Sequence, residues 1–104
     1  MKIQLNTDKN ISGNQRLEDY LNPLITTELA RFSEYITRVE VHLADENSDK
    51  KGVNDKKCTL EVRMENKQPF TVTSHSNTVE EAVNDALKKI KPALEKIKSQ
   101  FKNH

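Results

Sequence analysis

CTLEVRMENKQPFTVTSHSNTVEEAVNDALKKI, residues 58–90, changes its hydrophobic period once, from two to about 3.6. Up to residue 65 the residues alternate. Cys58, Leu60, Val62 and Met64 share one side, and Thr59, Glu61, Arg63 and Glu65 the other. Phe70, Val72 and Ser74 resume the apolar side after the tight connection Asn66-Lys67-Gln68-Pro69, which predicts two consecutive strands joined by a turn. Thr78, with Glu81 three residues on, fits a capping box. Beyond it Val79, Val83, Ala86, Leu87, Ile90, Leu94, Ile97 and Phe101 recur at helical spacing as one apolar stripe. Two strands followed by one long amphipathic helix leave the helix a sheet face to cover.

Working outward, TRVEVHLAD (37–45) alternates in the same way. Val39, Val41 and Leu43 point inward, and Arg38, Glu40 and His42 outward. KIQLN (2–6) reads as a short strand with Ile3 and Leu5 inside. Between them, Ser12 with Gln15 fits a second capping box, which predicts a helix over 13–32 buried along Leu17, Tyr20, Leu21, Leu24 and Phe32. Pro23 falls on its opposite side. ENSDKKGVNDKK (46–57) is a polar loop. The order is βαβββα. A crossover helix makes the first two strands parallel and adjacent, and the remaining connections make an antiparallel meander. One sheet face is polar throughout, so both helices belong on the other. The expected fold class is α+β: a two-layer βαβββα domain with a four-stranded sheet and two helices packed on one face.

Composition sets the scale. With 104 residues, 34% hydrophobic, 32% charged and no Trp, the chain supports one domain, 1–104, with a lean core. The net charge of +1 excludes binding of nucleic acid by bulk charge, but the charge is unevenly divided. Residues 1–55 hold 7 Lys/Arg against 10 Asp/Glu, whereas 56–104 hold 10 against 6, so an anion site belongs to the second half. One cysteine excludes an internal disulfide and fits a reducing compartment. No stretch is apolar enough for a signal peptide or membrane span, so a cytoplasmic location without membrane contact is expected.

The densest single-sign charge lies on the last helix: Lys88, Lys89, Lys91, Lys96, Lys98 and Lys102, with Glu95 the one acid among them. A helix roughly 35 Å long at about 1.5 Å per residue could reach several phosphates at once. The ordinary alternative is that the lysines solvate the helix and complement its dipole. Cys58 alternates onto the buried side, where cysteine is a small hydrophobe, and no Cys/His set converges on it. The Asp45-x-Asn47-x-Asp49 spacing of a calcium loop fails at Lys50, where a glycine is needed, and lacks the bidentate Glu. No nucleophile–base pair, catalytic carboxylate pair or glycine-rich phosphate loop is present, so neither an enzyme nor a cofactor or small-molecule substrate is expected. The polar sheet face, with His42, Glu61, Arg63, Thr73 and His75, leaves a second reading open: a protein–protein adaptor using that face.

The βαβββα order, together with RFSEYITRVEVHLADEN (31–47), DKKCTLEVR (55–63) and QPFTVTSHSNTVEEAVNDALKKIK (68–91), resembles the ribosome hibernation promoting factor and ribosome-associated inhibitor A family, over nearly the whole chain. The resemblance implies a translation silencer that occupies the small ribosomal subunit, in the cleft where messenger and transfer RNA lie, and meets ribosomal RNA phosphates with basic helix side chains. The matching positions here are Lys88, Lys89, Lys91, Lys96, Lys98 and Lys102 on the second helix, with Arg16 and Arg31 as candidates on the first. It further implies the short form of the family, without the C-terminal dimerising domain, and a monomer off the ribosome.

Overall fold

The three alternating segments and the short N-terminal one assemble into a single sheet. The structure, a computed structural model, describes residues 1–9, 11, 15–46 and 55–100 in full and 101–102 as helical backbone. The elements are β1 (Lys2–Thr7), α1 (Gln15–Glu28), a 3-10 turn (Ala30–Phe32), β2 (Ile36–Asp45), β3 (Lys56–Met64), β4 (Phe70–Ser76) and α2 (Val79–Lys102). β1 runs parallel to β2, and β2, β3 and β4 pair antiparallel in chain order. The α+β βαβββα architecture expected from the sequence is therefore observed.

Register turns the alternation into layers. Ile3, Val39, Val62 and Phe70 line up across all four strands, as do Leu5, Val41, Leu60 and Val72. These rows meet Leu21, Ile25, Leu29 and Phe32 from the first helical segment, and Ala82, Val83, Ala86, Leu87, Ile90 and Leu94 from α2, in one core. The other face carries Gln4, Glu40, Glu61 and Thr71 in one row and Asn6, His42, Thr59 and Thr73 in the next.

Two local expectations are corrected. The first helix does not run unbroken over 13–32. It ends at Glu28, and Leu29, fully buried, hands the chain to a 3-10 turn that brings Phe32 into the core. The burial phase also differs from the expected stripe, because Ile25 and Leu29 are the anchors while Tyr20 lies outside, 44% exposed. Second, β2 begins at Ile36 with an irregularity between Ile36 and Arg38. One extra residue there lets both Ile36 and Val39 face the core despite their odd spacing.

The β3–β4 turn places Asn66 at φ 61°, a left-handed conformation that asparagine tolerates. Thr78 Oγ1 accepts the Glu81 N–H at 3.1 Å, which caps α2, and Glu80 and Glu81 add negative charge to its first turn. Pro23 and Pro92 both sit on exposed positions of their helices. There the carbonyl each leaves without an N–H partner, four residues earlier, faces solvent. Ser12, and Asn47–Asp49 of the calcium-like spacing, lie outside the described residues.

Candidate nucleic-acid interface

α2 is fixed to the edge strand β4 by three side chains. Ser74 Oγ donates to the Ala82 carbonyl at 2.5 Å, Ser76 Oγ to Asp85 Oδ2 at 2.6 Å, and Lys89 Nζ to the Thr73 carbonyl at 2.7 Å. With the apolar stripe buried, these bonds leave the helix no rotational freedom, and each lysine has a defined flank.

At about 100° per residue the lysines divide into two groups and do not form one patch. Lys89 and Lys96 share the flank on the β4 side, and Lys88 occupies the outermost position. Lys88 and Lys96 are exposed and make no hydrogen bond or ion pair among the described residues. Lys89 is exposed but spends one donor on the β4 edge.

Lys91 and Lys98 lie on the opposite flank, toward the first helical segment. Lys91 pairs with Glu28 at the end of α1. Glu95 pairs with Arg31 at 2.7 Å, and Arg31 and Lys98 lie over the Phe32 ring at 4.9 and 5.8 Å. Of the eight sequence candidates, Lys91, Lys98 and Arg31 are thus joined to the seam between the helices. Lys102 belongs to α2, with a side chain outside the description. Arg16 is exposed near the start of α1, without an ion pair among the described residues.

What the sequence reading missed is the neutralisation of one flank by Glu28 and Glu95. Glu95 was legible at helical spacing, but Glu28 reaches α2 from another helix, and no local pattern signals it. A Lys91→Ala variant is expected to lose only about 0.2–1 kcal/mol of stability, as for other half-exposed pairs, measured by denaturant unfolding.

The open sheet face is charge-paired. Arg63 Nε lies 2.7 Å from Glu61 and 3.6 Å from Glu40, which also meets Arg38 at 3.1 Å. The Glu61 carboxylate holds the Arg63 guanidinium above its ordinary pKa. On the helix side of the sheet's far end, in the row Asp45, Lys56 and Ser76, Lys56 bridges Asp55 (3.2 Å) and Asp45 (3.3 Å), which raise its pKa, Asp55 more than Asp45. On the open face Arg38, Arg63 and Lys57 have carboxylate partners, and Lys2 alone of its lysines and arginines has none among the described residues, so this face offers a polyanion less than α2 does.

Cys58 is fully buried between Leu43 and Ser74 in the sheet, and burial pushes its thiol up to about 12. It is a core side chain without thiolate character. Native protein should react with a thiol reagent slowly and unfolded protein quickly. The pH dependence has a definite sign. Below the ordinary value of 9.0 both states keep the proton. Above it the unfolded chain ionises first, so stability falls toward pH 12 by up to ~1.4 kcal/mol per pH unit. A Cys58→Ala variant, compared by denaturant titration, should lack that decline.

Comparison with known proteins bears on this arrangement. The family described as Sigma 54 modulation protein / S30EA ribosomal protein matches residues 6–102. Among solved structures, the Protein Y N-terminal domain of Thermus thermophilus superposes with a TM-score of 0.67 at 15% identity, covering 93% of this chain and 99% of that one. A ribosomal subunit interface protein from Coxiella burnetii superposes with a TM-score of 0.69 at 16% identity, covering 95% and 99%. At such identities the likeness is one of fold. No curated protein matches the chain.

Proposed function

The chain belongs to the Sigma 54 modulation protein / S30EA ribosomal protein family, a family of ribosome-associated factors, and from that premise we propose that it silences translation by occupying the small ribosomal subunit. In this reading the exposed cations of α2 hold ribosomal RNA phosphates, and the domain excludes other ligands by its bulk, without catalysis or cofactor. Ribosome association implies work in the cytoplasm, and in this reading the protein is a monomer off the ribosome.

The observation that carries the reading is the α2 surface formed by Lys88, Lys89 and Lys96, in which Lys88 and Lys96 are exposed and uncompensated among the described residues. Arg16, exposed on α1, is a further candidate cation apart from this surface. Lys91, Lys98 and Arg31, from the same candidate set, act at its inner margin, where Glu28 and Glu95 dilute their charge. Phosphate-led binding tolerates base sequence and follows the shape of folded RNA.

Sedimentation with purified small subunits across a salt series tests it. Each phosphate contact contributes about 0.7–0.9 to the slope of log affinity against log salt. Two to four contacts then weaken binding roughly 10- to 150-fold between 50 and 200 mM salt. Absence of binding by the wild type at low salt would turn the reading to the adaptor alternative, in which the polar sheet face meets a protein.

A further inference from the structure

Tyr20 is out of place for an amphipathic helix. It borders the apolar stripe beside Leu17, Leu21 and Leu24, yet it is 44% exposed, and Met1 is the one other exposed large hydrophobic among the described residues. Its hydroxyl makes no hydrogen bond among those residues. Arg16, Tyr20, Pro23 and Thr27 follow one another along a single flank of α1, and all four are exposed. Asp19, three residues after Arg16 and four before Pro23, borders the flank; it accepts a hydrogen bond from Gln15 Nε2 at 2.8 Å and makes no ion pair with Arg16.

We propose that Tyr20, with Arg16 one turn before it, is a stacking platform for one unpaired nucleotide of RNA; the proposal rests on the ribosomal-RNA reading above and adds a contact to it that the lysine helix does not supply. The chemistry matches the ligand. An aromatic ring bordered by a proline offers a flat apolar surface to a base of any identity, and a guanidinium one turn away meets the phosphate on its 5′ or 3′ side. Paired bases within an A-form helix hide their faces, so the nucleotide is one splayed from a loop, bulge or end. A purely structural tyrosine at a helix margin would instead turn its ring along the core and leave only the hydroxyl wet.

The two parts of the contact respond differently to salt, and this makes the test specific. Wild type, Tyr20→Ala, Tyr20→Phe and Arg16→Gln are compared for binding to purified small subunits at several salt concentrations. Tyr20→Ala should bind about 10-fold more weakly at every salt concentration with the slope unchanged, and Tyr20→Phe within about twofold of wild type. Arg16→Gln should lower the slope by about one. A second measurement needs no variant: nitration of Tyr20 in the wild type, read by mass spectrometry against Tyr35, should be suppressed several-fold in the complex. Tyr20→Ala binding within twofold of wild type, or equal nitration of Tyr20 free and bound, overturns the proposal. If the wild type does not bind small subunits at all, the functional reading itself fails. Loss of binding by lysine variants alone removes only the role of Tyr20.

Discussion

Reversing Lys88, Lys89 and Lys96 to glutamate together is expected to weaken binding to small ribosomal subunits by ~200- to ~5,000-fold near 100 mM salt, equivalent to about 3–5 kcal/mol. Each reversal removes one attraction and installs one repulsion at the same point, at roughly 1 kcal/mol or more for charges a few ångströms apart near a protein surface. All three side chains are exposed, and of the three only Lys89 makes a hydrogen bond or ion pair among the described residues, its bond to the Thr73 carbonyl. The triple variant should therefore melt within a few degrees of the wild type. Glutamine in place of glutamate isolates the counterion effect and should flatten the salt slope by about one per lysine that holds a phosphate. Two comparisons locate the surface. Lys91→Glu, on the flank already neutralised by Glu28, should cost less than Lys88→Glu. Arg63→Glu, on the charge-paired sheet face, should leave affinity within about threefold. Equal binding by the triple variant, measured by sedimentation, would remove α2 from the interface.

The second large effect concerns the fold. Leu60 is fully buried at the centre of the row Leu5, Val41, Leu60, Val72, on an inner strand with neighbours on both sides and α2 above. Truncation to alanine removes three carbons where backbone pairing prevents collapse. Leu60→Ala should thus cost about 2–5 kcal/mol. A domain of this size has about 5–15 kcal/mol in total, and each kcal/mol moves the midpoint by roughly 4–8 °C. A loss of at least ~10 °C by calorimetry is expected, and a shift under ~3 °C would mean that the core is looser than its burial implies.

The sequence made some of this legible and hid the rest, for reasons that differ by element. Alternation in β2 and β3 was readable because one polar face and one buried face impose a strict period of two. Val39, Val41, Leu43, Cys58, Leu60, Val62 and Met64 all lie where the pattern put them. The stripe of α2 was equally plain, since 24 residues average out local noise. The end of α1 was not. Leu29 and Phe32 keep near-helical spacing although the chain between them winds as a 3-10 turn, and burial is insensitive to that change. Ile36 was missed because the extra residue after it breaks the parity that any alternation rule assumes. At the site, the lysines were legible as a set, but their division was decided by tertiary partners. Arg31, Lys91 and Lys98 found Glu95, Glu28 and the Phe32 ring on elements that only the packed fold brings together. Tyr20 is the converse case: a residue whose apolar character argued for burial and whose position at the stripe's margin denied it.

The sheet's strand order repeats the chain order, and this has a kinetic consequence. β2, β3 and β4 each pair with a sequence neighbour, and α2 follows directly to cover them, so most of the core closes between consecutive elements, at less entropic cost than the β1–β2 crossover. β1 alone must wait. Its Lys2 meets Arg38 only after α1 has been spanned, through parallel pairing that no hairpin can nucleate. In refolding from denaturant β1 is accordingly expected to dock last. Until it docks, the free edge of β2 is open to pairing with another chain, and the brevity of β1, six residues, limits what is exposed in that interval.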